Sequence, residues 1–159
     1  YTNIVIKCPG VKKTLYKSNT VKAIVPLKWI EEEKTASKDY GRIVLDQNVS
    51  GATCFTLTST LSETANYTIA GFPVDKITGG AYNPMYKDSG KVILAKSGKD
   101  EQPLCMYYFD ATGGESGAPI YNSSYKVVGM HEYEKKDLSY NYGVKFTSSI
   151  ISFLLRDSK

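Results

Sequence analysis

Short apolar runs, each broken within a few residues by Gly, Pro, Asn or Asp, recur along almost the whole chain. They fall at residues 4–6, 21–27, 42–45, 54–57, 67–72, 91–96, 104–109, 118–121, 125–131 and 142–146. Strand-length runs with turn residues between them, and no helical period separating them, predict antiparallel barrels or a sandwich rather than a parallel sheet with crossover helices. Only the last stretch reads as a helix. There Thr147, Ser148 or Ser149 can cap the run Ile150-Ile151-Ser152-Phe153-Leu154-Leu155, whose apolar face would pack on a barrel. Between residues 58 and 66 the composition shifts to Ser, Thr and other small polar residues, which predicts a link between two halves, 1–58 and 67–159.

A chain of 159 residues, 42% of them hydrophobic, can bury a real core as one domain or as two small barrels sharing an interface. The net charge of +4 is modest, and the basic pairs Lys12-Lys13 and Lys135-Lys136 are too short to grip a phosphate backbone, so no nucleic-acid partner is expected. No apolar run approaches a membrane span, and no signal peptide is expected at the start. The acidic cluster Glu31-Glu32-Glu33 reads as surface, and neither it nor the cysteines have the converging partners a metal site needs. No cofactor is implied. Cys8, Cys54 and Cys105 make an odd count, so in an oxidising compartment one stays free or bonds to another polypeptide. Three sequons, at Asn48, Asn66 and Asn122, favour a secretory route and glycosylation.

The candidate chemistry lies in Thr112-Gly113-Gly114-Glu115-Ser116-Gly117-Ala118-Pro119. Glycines around one serine let the backbone bend sharply and bring successive N–H groups to bear on one point. That suits a nucleophile, Ser116, with the N–H groups of Gly114 and Ser116 receiving a developing negative charge. A glycine-rich hairpin turn with a polar serine fits the same residues, and the turn alone leaves both readings open.

Several other segments share a pattern with this one. Tyr67-Thr68-Ile69-Ala70-Gly71-Phe72-Pro73-Val74-Asp75-Lys76 resembles a strand and Gly-aromatic-Pro-x-Asp-Lys turn of the glutamyl endopeptidases. Residues 112–119 are similar to their nucleophile turn, and Val127-Val128-Gly129-Met130-His131 to a strand ending in Ile-Gly-Ile-His. Lys38-Asp39-Tyr40-Gly41-Arg42-Ile43-Val44-Leu45 resembles the segment that supplies the triad aspartate. The motifs come in the family's order over roughly residues 25–155. The resemblance implies an all-β, chymotrypsin-like double antiparallel β-barrel with a C-terminal α-helix. It implies a serine endopeptidase acting on peptide or protein substrates, with Ser116 as nucleophile, Asp39 orienting the catalytic imidazole, and Gly114 with Ser116 as the oxyanion hole. His131 then belongs to the pocket for an acidic substrate side chain, and Ala111 stands where a threonine hydroxyl often helps hold that side chain. Asp75 and Lys76 match a family turn without a catalytic role.

Three departures qualify the expectation. Glu132-Tyr133-Glu134 follows His131 where the family usually has small residues, and two carboxylates there would oppose an acidic substrate. Ala111 lacks the hydroxyl. The largest departure is that His131 is the single histidine of the 159 residues, whereas the family's general base precedes the aspartate. The first barrel is therefore expected to be incomplete in this chain, with a second polypeptide supplying the histidine and the odd cysteine available for a disulfide to it. The alternatives are a catalytically inactive homologue that acts by binding, and a β-rich interaction module unrelated to proteases.

Overall fold

The computed structural model describes residues 4–7, 14–18, 21–31, 35–76, 84–96, 102–135 and 139–156. Cys8, Lys12-Lys13, Glu32-Glu33-Lys34 and Lys136 lie outside the described residues.

The first part of the chain forms two small antiparallel sheets. β1 (Ile4–Lys7) pairs with β2 (Thr14–Ser18), and β3 (Lys22–Ile24) with β4 (Arg42–Val44). A five-residue helix, α1 (Leu27–Glu31), and a 3₁₀ turn at Ala36–Lys38 stand between β3 and β4. The strand expected over 21–27 thus ends at Ile24. Pro26 lacks an N–H for a ladder, and its carbonyl instead accepts the Trp29 N–H at 3.1 Å, starting the helix. Asp46 ties β2 to the segment after β4, accepting from Tyr16 and Ser18, each at 2.7 Å.

The second part is a closed barrel. Its strands are β6 (Asn66–Gly71), β7 (Tyr86–Ala95), β8 (Leu104–Tyr107), β9 (Pro119–Asn122), β10 (Lys126–Lys135) and β11 (Tyr140–Lys145). They run β11-β8-β7-β6-β9-β10, every neighbouring pair antiparallel, and β10 pairs back onto β11. Closure removes both sheet edges. β5 (Thr56–Leu57), which composition assigns to the first half, joins this sheet parallel to β10.

Alternation fills the barrel. Tyr67 and Ile69 point inward from β6, and they meet Val92, Cys105, Tyr107, Phe109, Ala111, Ala118, Ile120 and Val128 in one core. A second apolar cluster, Val127, Val144, Phe146 and Ile150, lies under α2 (Ser148–Leu155) and reaches Tyr40 of the first part. The helix begins as its sequence suggests, with the Thr147 hydroxyl accepting the Ile150 N–H at 3.2 Å. Residues 58–66 are tied down along the barrel. The Lys145 ammonium, itself buried, donates to the Ser59 carbonyl at 2.7 Å, and Tyr67 Oη accepts the Ser62 N–H at 2.9 Å.

Among the described residues Cys54 is exposed, Cys105 is buried, and neither is in a disulfide. Burial pushes the Cys105 thiol up to about 12, against the opposing charge of Lys145, so this cysteine is inert packing rather than a tether. No helix of the described residues is long and apolar enough to cross a membrane.

Candidate active site

The glycine-rich stretch connects β8 to β9 through two consecutive turns. The Glu115 N–H donates to the Thr112 carbonyl at 3.2 Å and the Ala118 N–H to the Glu115 carbonyl at 2.8 Å. Each turn has glycine at its third place with a left-handed backbone, Gly114 at φ +97° and Gly117 at φ +89°, the requirement of a type II turn. The segment around Pro73 holds the first turn from behind. The Val74 N–H donates to the Gly113 carbonyl at 2.8 Å, and a Cβ on Gly114 would stand 2.8 Å from the Phe72 carbonyl oxygen. The Gly71-Phe72-Pro73-Val74 motif and the nucleophile-like turn are therefore one interlocked unit. Glu115 completes it, buried, with its carboxylate accepting the Thr112 N–H at 2.9 Å. Ser116 is left exposed at the apex.

β10 fixes the far side of the turn. The Gly117 N–H donates to the His131 carbonyl and the His131 N–H to the Ala118 carbonyl, both at 2.8 Å. Ser116 Oγ donates to the Glu132 carbonyl at 3.0 Å.

Asp39 follows the 3₁₀ turn, its N–H donating to the Ala36 carbonyl at 3.1 Å. It shares with Ser116 a cavity of about 520 Å³, which is also lined by Val25, Trp29, Gly41, Met130, His131 and Glu132. Burial raises the Asp39 carboxyl above its ordinary value, and a hydrogen bond from the Glu132 side chain works the other way.

His131 reaches this cavity from the barrel interior and is only 3% exposed. Its Nδ1 lies 2.5 Å from Tyr107 Oη, and the ring also hydrogen-bonds to the Tyr142 carbonyl. Burial pushes the imidazole below its ordinary 6.5 and pushes the Tyr107 phenol up, so the pair holds a neutral ring beside a protonated tyrosine. An imidazole harder to charge in the folded than in the unfolded chain has a stability consequence with a fixed sign. Below about pH 6.5 the unfolded chain takes up a proton that the native one refuses, so stability falls as pH drops, by up to about 1.4 kcal/mol per pH unit from this group. Thermal midpoints between pH 7.5 and 5.5 should show this fall in the wild type, and His131→Gln should flatten it.

Ala111 is placed elsewhere. It is buried in the barrel core and is not among the residues that line the cavity. Trp29 and Val25 form a wall that no sequence motif announces. The partnership of Glu132 with Asp39 was equally hidden, since the sequence shows Glu132 only as an acidic residue beside the pocket strand.

No family model matches the sequence. Curated relatives do, among them three glutamyl endopeptidases. The Staphylococcus epidermidis protein is 33% identical over 89 residues, covering 56% of this chain and 28% of the relative. The Bacillus licheniformis protein is 28% identical over 122 residues, 73% of this chain and 35% of the relative. The Staphylococcus aureus protein is 32% identical over 66 residues, 42% and 17%. The matched part is thus about a third or less of those proteins' length. Among solved structures, a Glu endopeptidase in complex with MPD superposes with a TM-score of 0.68 at 22% identity, over 87% of this chain and 62% of that one. The shared barrel with its terminal helix and the sequence matches to proteins of one name lead to one conclusion: the chain is similar to the glutamyl endopeptidases in sequence over part of their length and has the chymotrypsin-like fold of a solved one.

Proposed function

We propose that this chain carries the nucleophile, aspartate and substrate pocket of a serine endopeptidase. The observation that carries the reading is that Ser116, exposed on a turn held by two left-handed glycines, opens on the same cavity as Asp39. In the reaction Ser116 Oγ attacks the carbonyl carbon of the scissile peptide, and its proton passes to an imidazole and on to the leaving amine. The N–H groups of Gly114 and Ser116 receive the oxyanion. Water then attacks the acyl-enzyme, giving up a proton to the same imidazole, and releases the carboxylic acid.

His131 is unsuited to be that imidazole, because Tyr107 and the Tyr142 carbonyl hold it in the barrel. The base comes from polypeptide that is not among these 159 residues, as a continuous segment or as a second chain completing the first barrel. Residues 1–58 are the remainder of that barrel and 67–159 the second. His131 at the cavity wall supports an acidic P1 side chain, with the carboxyls of Asp39 and Glu132 limiting the preference. Secretion is part of the proposal, supported by the exposed sequon asparagines Asn48 and Asn66. A non-catalytic binding protein is the second reading. It is favoured by the Ser116 hydroxyl being engaged with the Glu132 carbonyl.

The test uses native, complete protein. Intact mass with and without reductant identifies any histidine-bearing companion, and a serine-directed fluorophosphonate should label Ser116. A peptide library should then show cleavage after Glu or Asp. Cleavage after Arg or a large apolar residue would retire the acidic preference, and native protein that never labels would favour the binding protein.

A further inference from the structure

Asp39 and Ser116 stand on different parts of the fold, so their meeting in one cavity depends on how the first part is held against the second. The local structure around Asp39 is slight. β3 and β4 make a two-stranded ribbon, each strand three residues long, and a ribbon of that size does not fix a side chain by itself. The second part holds the segment instead. The 3₁₀ turn before Asp39 lies beside β11, and Tyr40 packs on the apolar cluster under α2. Phe153 of α2 meets both residues that flank Gly41. The Tyr40 ring stands edge-on to it, with centroids 5.3 Å apart and planes at 81°, and the Arg42 guanidinium carbon lies 5.5 Å from its centroid. Both are geometries of attraction, the one between aromatic rings and the other between a cation and a ring face. Arg42 Nη1 also donates to the Arg156 carbonyl at the end of the helix, where carbonyls lack a partner within the helix. Asp39, Tyr40 and Gly41 are consecutive in the cavity wall, so a shift of Tyr40 passes directly to the carboxyl beside it.

We propose that Phe153 is a positioning residue of the site: its ring clasps Tyr40 and Arg42 and thereby holds the Asp39 carboxyl at the Ser116 cavity. The terminal helix thus acts on a cavity whose described lining residues come from other elements. The catalytic consequence rests on the endopeptidase reading, whereas the clasp does not. A displaced aspartate orients an imidazole poorly, and a shift of about 1 Å can cost up to about a hundredfold in rate. Ser116 and His131 belong to the β8–β9 turn and to β10, away from the clasp. Loosening it should therefore lower turnover and leave substrate affinity in place.

The experiment compares complete wild-type protein with Phe153→Leu and Phe153→Tyr. Phe153 is half-buried, so either side chain is accommodated. Leucine keeps the apolar bulk but offers no ring to the tyrosine edge or the guanidinium, and tyrosine keeps the ring. Phe153→Leu should slow fluorophosphonate labelling of Ser116 by about tenfold, with kcat for a cleaved peptide carrying the loss and KM within about twofold of wild type. Phe153→Tyr should label within about twofold of the wild-type rate. In an Asp39→Asn background Phe153→Leu should slow labelling no further, because a residue that acts through Asp39 has nothing left to aim. A residue that merely stabilises the fold would slow both backgrounds alike. Trp29, the one tryptophan of the chain and part of the same cavity wall, gives a readout that needs no activity. Acrylamide should quench its fluorescence more readily in Phe153→Leu than in wild type or Phe153→Tyr. Labelling of Phe153→Leu at the wild-type rate would overturn the proposal. So would Phe153→Tyr labelling as slowly as Phe153→Leu, or equal slowing with and without Asp39. If nothing labels, wild type included, the endopeptidase reading fails and the quenching of Trp29 still decides the clasp.

Discussion

Ser116→Ala is expected to abolish fluorophosphonate labelling and to lower peptide hydrolysis by about three to six orders of magnitude. The loss is large because covalent catalysis divides one difficult step into two, and without the hydroxyl no acyl-enzyme forms. What remains is the stabilisation that binding and the oxyanion donors give to direct attack by water. The fold should not register the change. Ser116 is exposed at the apex of its turn, and its side chain makes one hydrogen bond, to the Glu132 carbonyl, that water can replace. An unaltered melting midpoint with abolished turnover would separate chemistry from scaffold. Equal turnover in the variant and the wild type would remove Ser116 from the mechanism.

Gly114→Ala should damage the same site through the backbone. At φ +97° a side chain is strained wherever it points, and here the new Cβ would meet the Phe72 carbonyl oxygen at 2.8 Å and Val74 Cγ1 at 2.7 Å. The valine methyl can turn away, but the carbonyl belongs to the segment whose Val74 N–H holds Gly113. Relief therefore requires the two interlocked segments to part. The expected cost is about 2–4 kcal/mol of stability. Labelling at Ser116 should fall by about a hundredfold or more, because the N–H groups that would receive the oxyanion lie in the displaced turn. Denaturant unfolding and labelling kinetics on one sample measure both. Labelling at the wild-type rate would show that the turn tolerates the shift and that its conformation does not set reactivity.

The strands that the sequence makes plain are those whose own residues alternate or form apolar runs, such as β6, β8 and β11. The first half of β7, with Lys87-Asp88-Ser89-Gly90, carries no such signal; its conformation comes from pairing with β6 across Gly71↔Tyr86 to Asn66↔Lys91. β2 and α1 were missed because so few residues leave no period to detect, and Trp29-Ile30 after a proline reads equally as a strand end. The nucleophile-like turn was legible because glycine at a left-handed position is a local requirement. The meeting of Glu132 with Asp39 in one cavity was not, since it joins β10 to the segment before β4, far apart in the chain. Local chemistry shows in the residues, while pairing register emerges only when strands meet.

The position of β11 in the barrel bears on how the protein is made. It alone bonds both to β8 and to β10, so it is the stave that shuts the cylinder. A chain synthesised from its first residue onward exposes Asp39, Ser116 and Glu132 well before residues 140–145 exist. Until they arrive, the register of β10 against β11, which shifts between His131 and Tyr133, has no template, and the edges of β8 and β10 stand open to foreign strands. The reactive geometry is thus the last thing the polypeptide acquires. A cell making it would hold an unfinished barrel that needs shielding from aggregation and, on the endopeptidase reading, not yet one able to cut its neighbours.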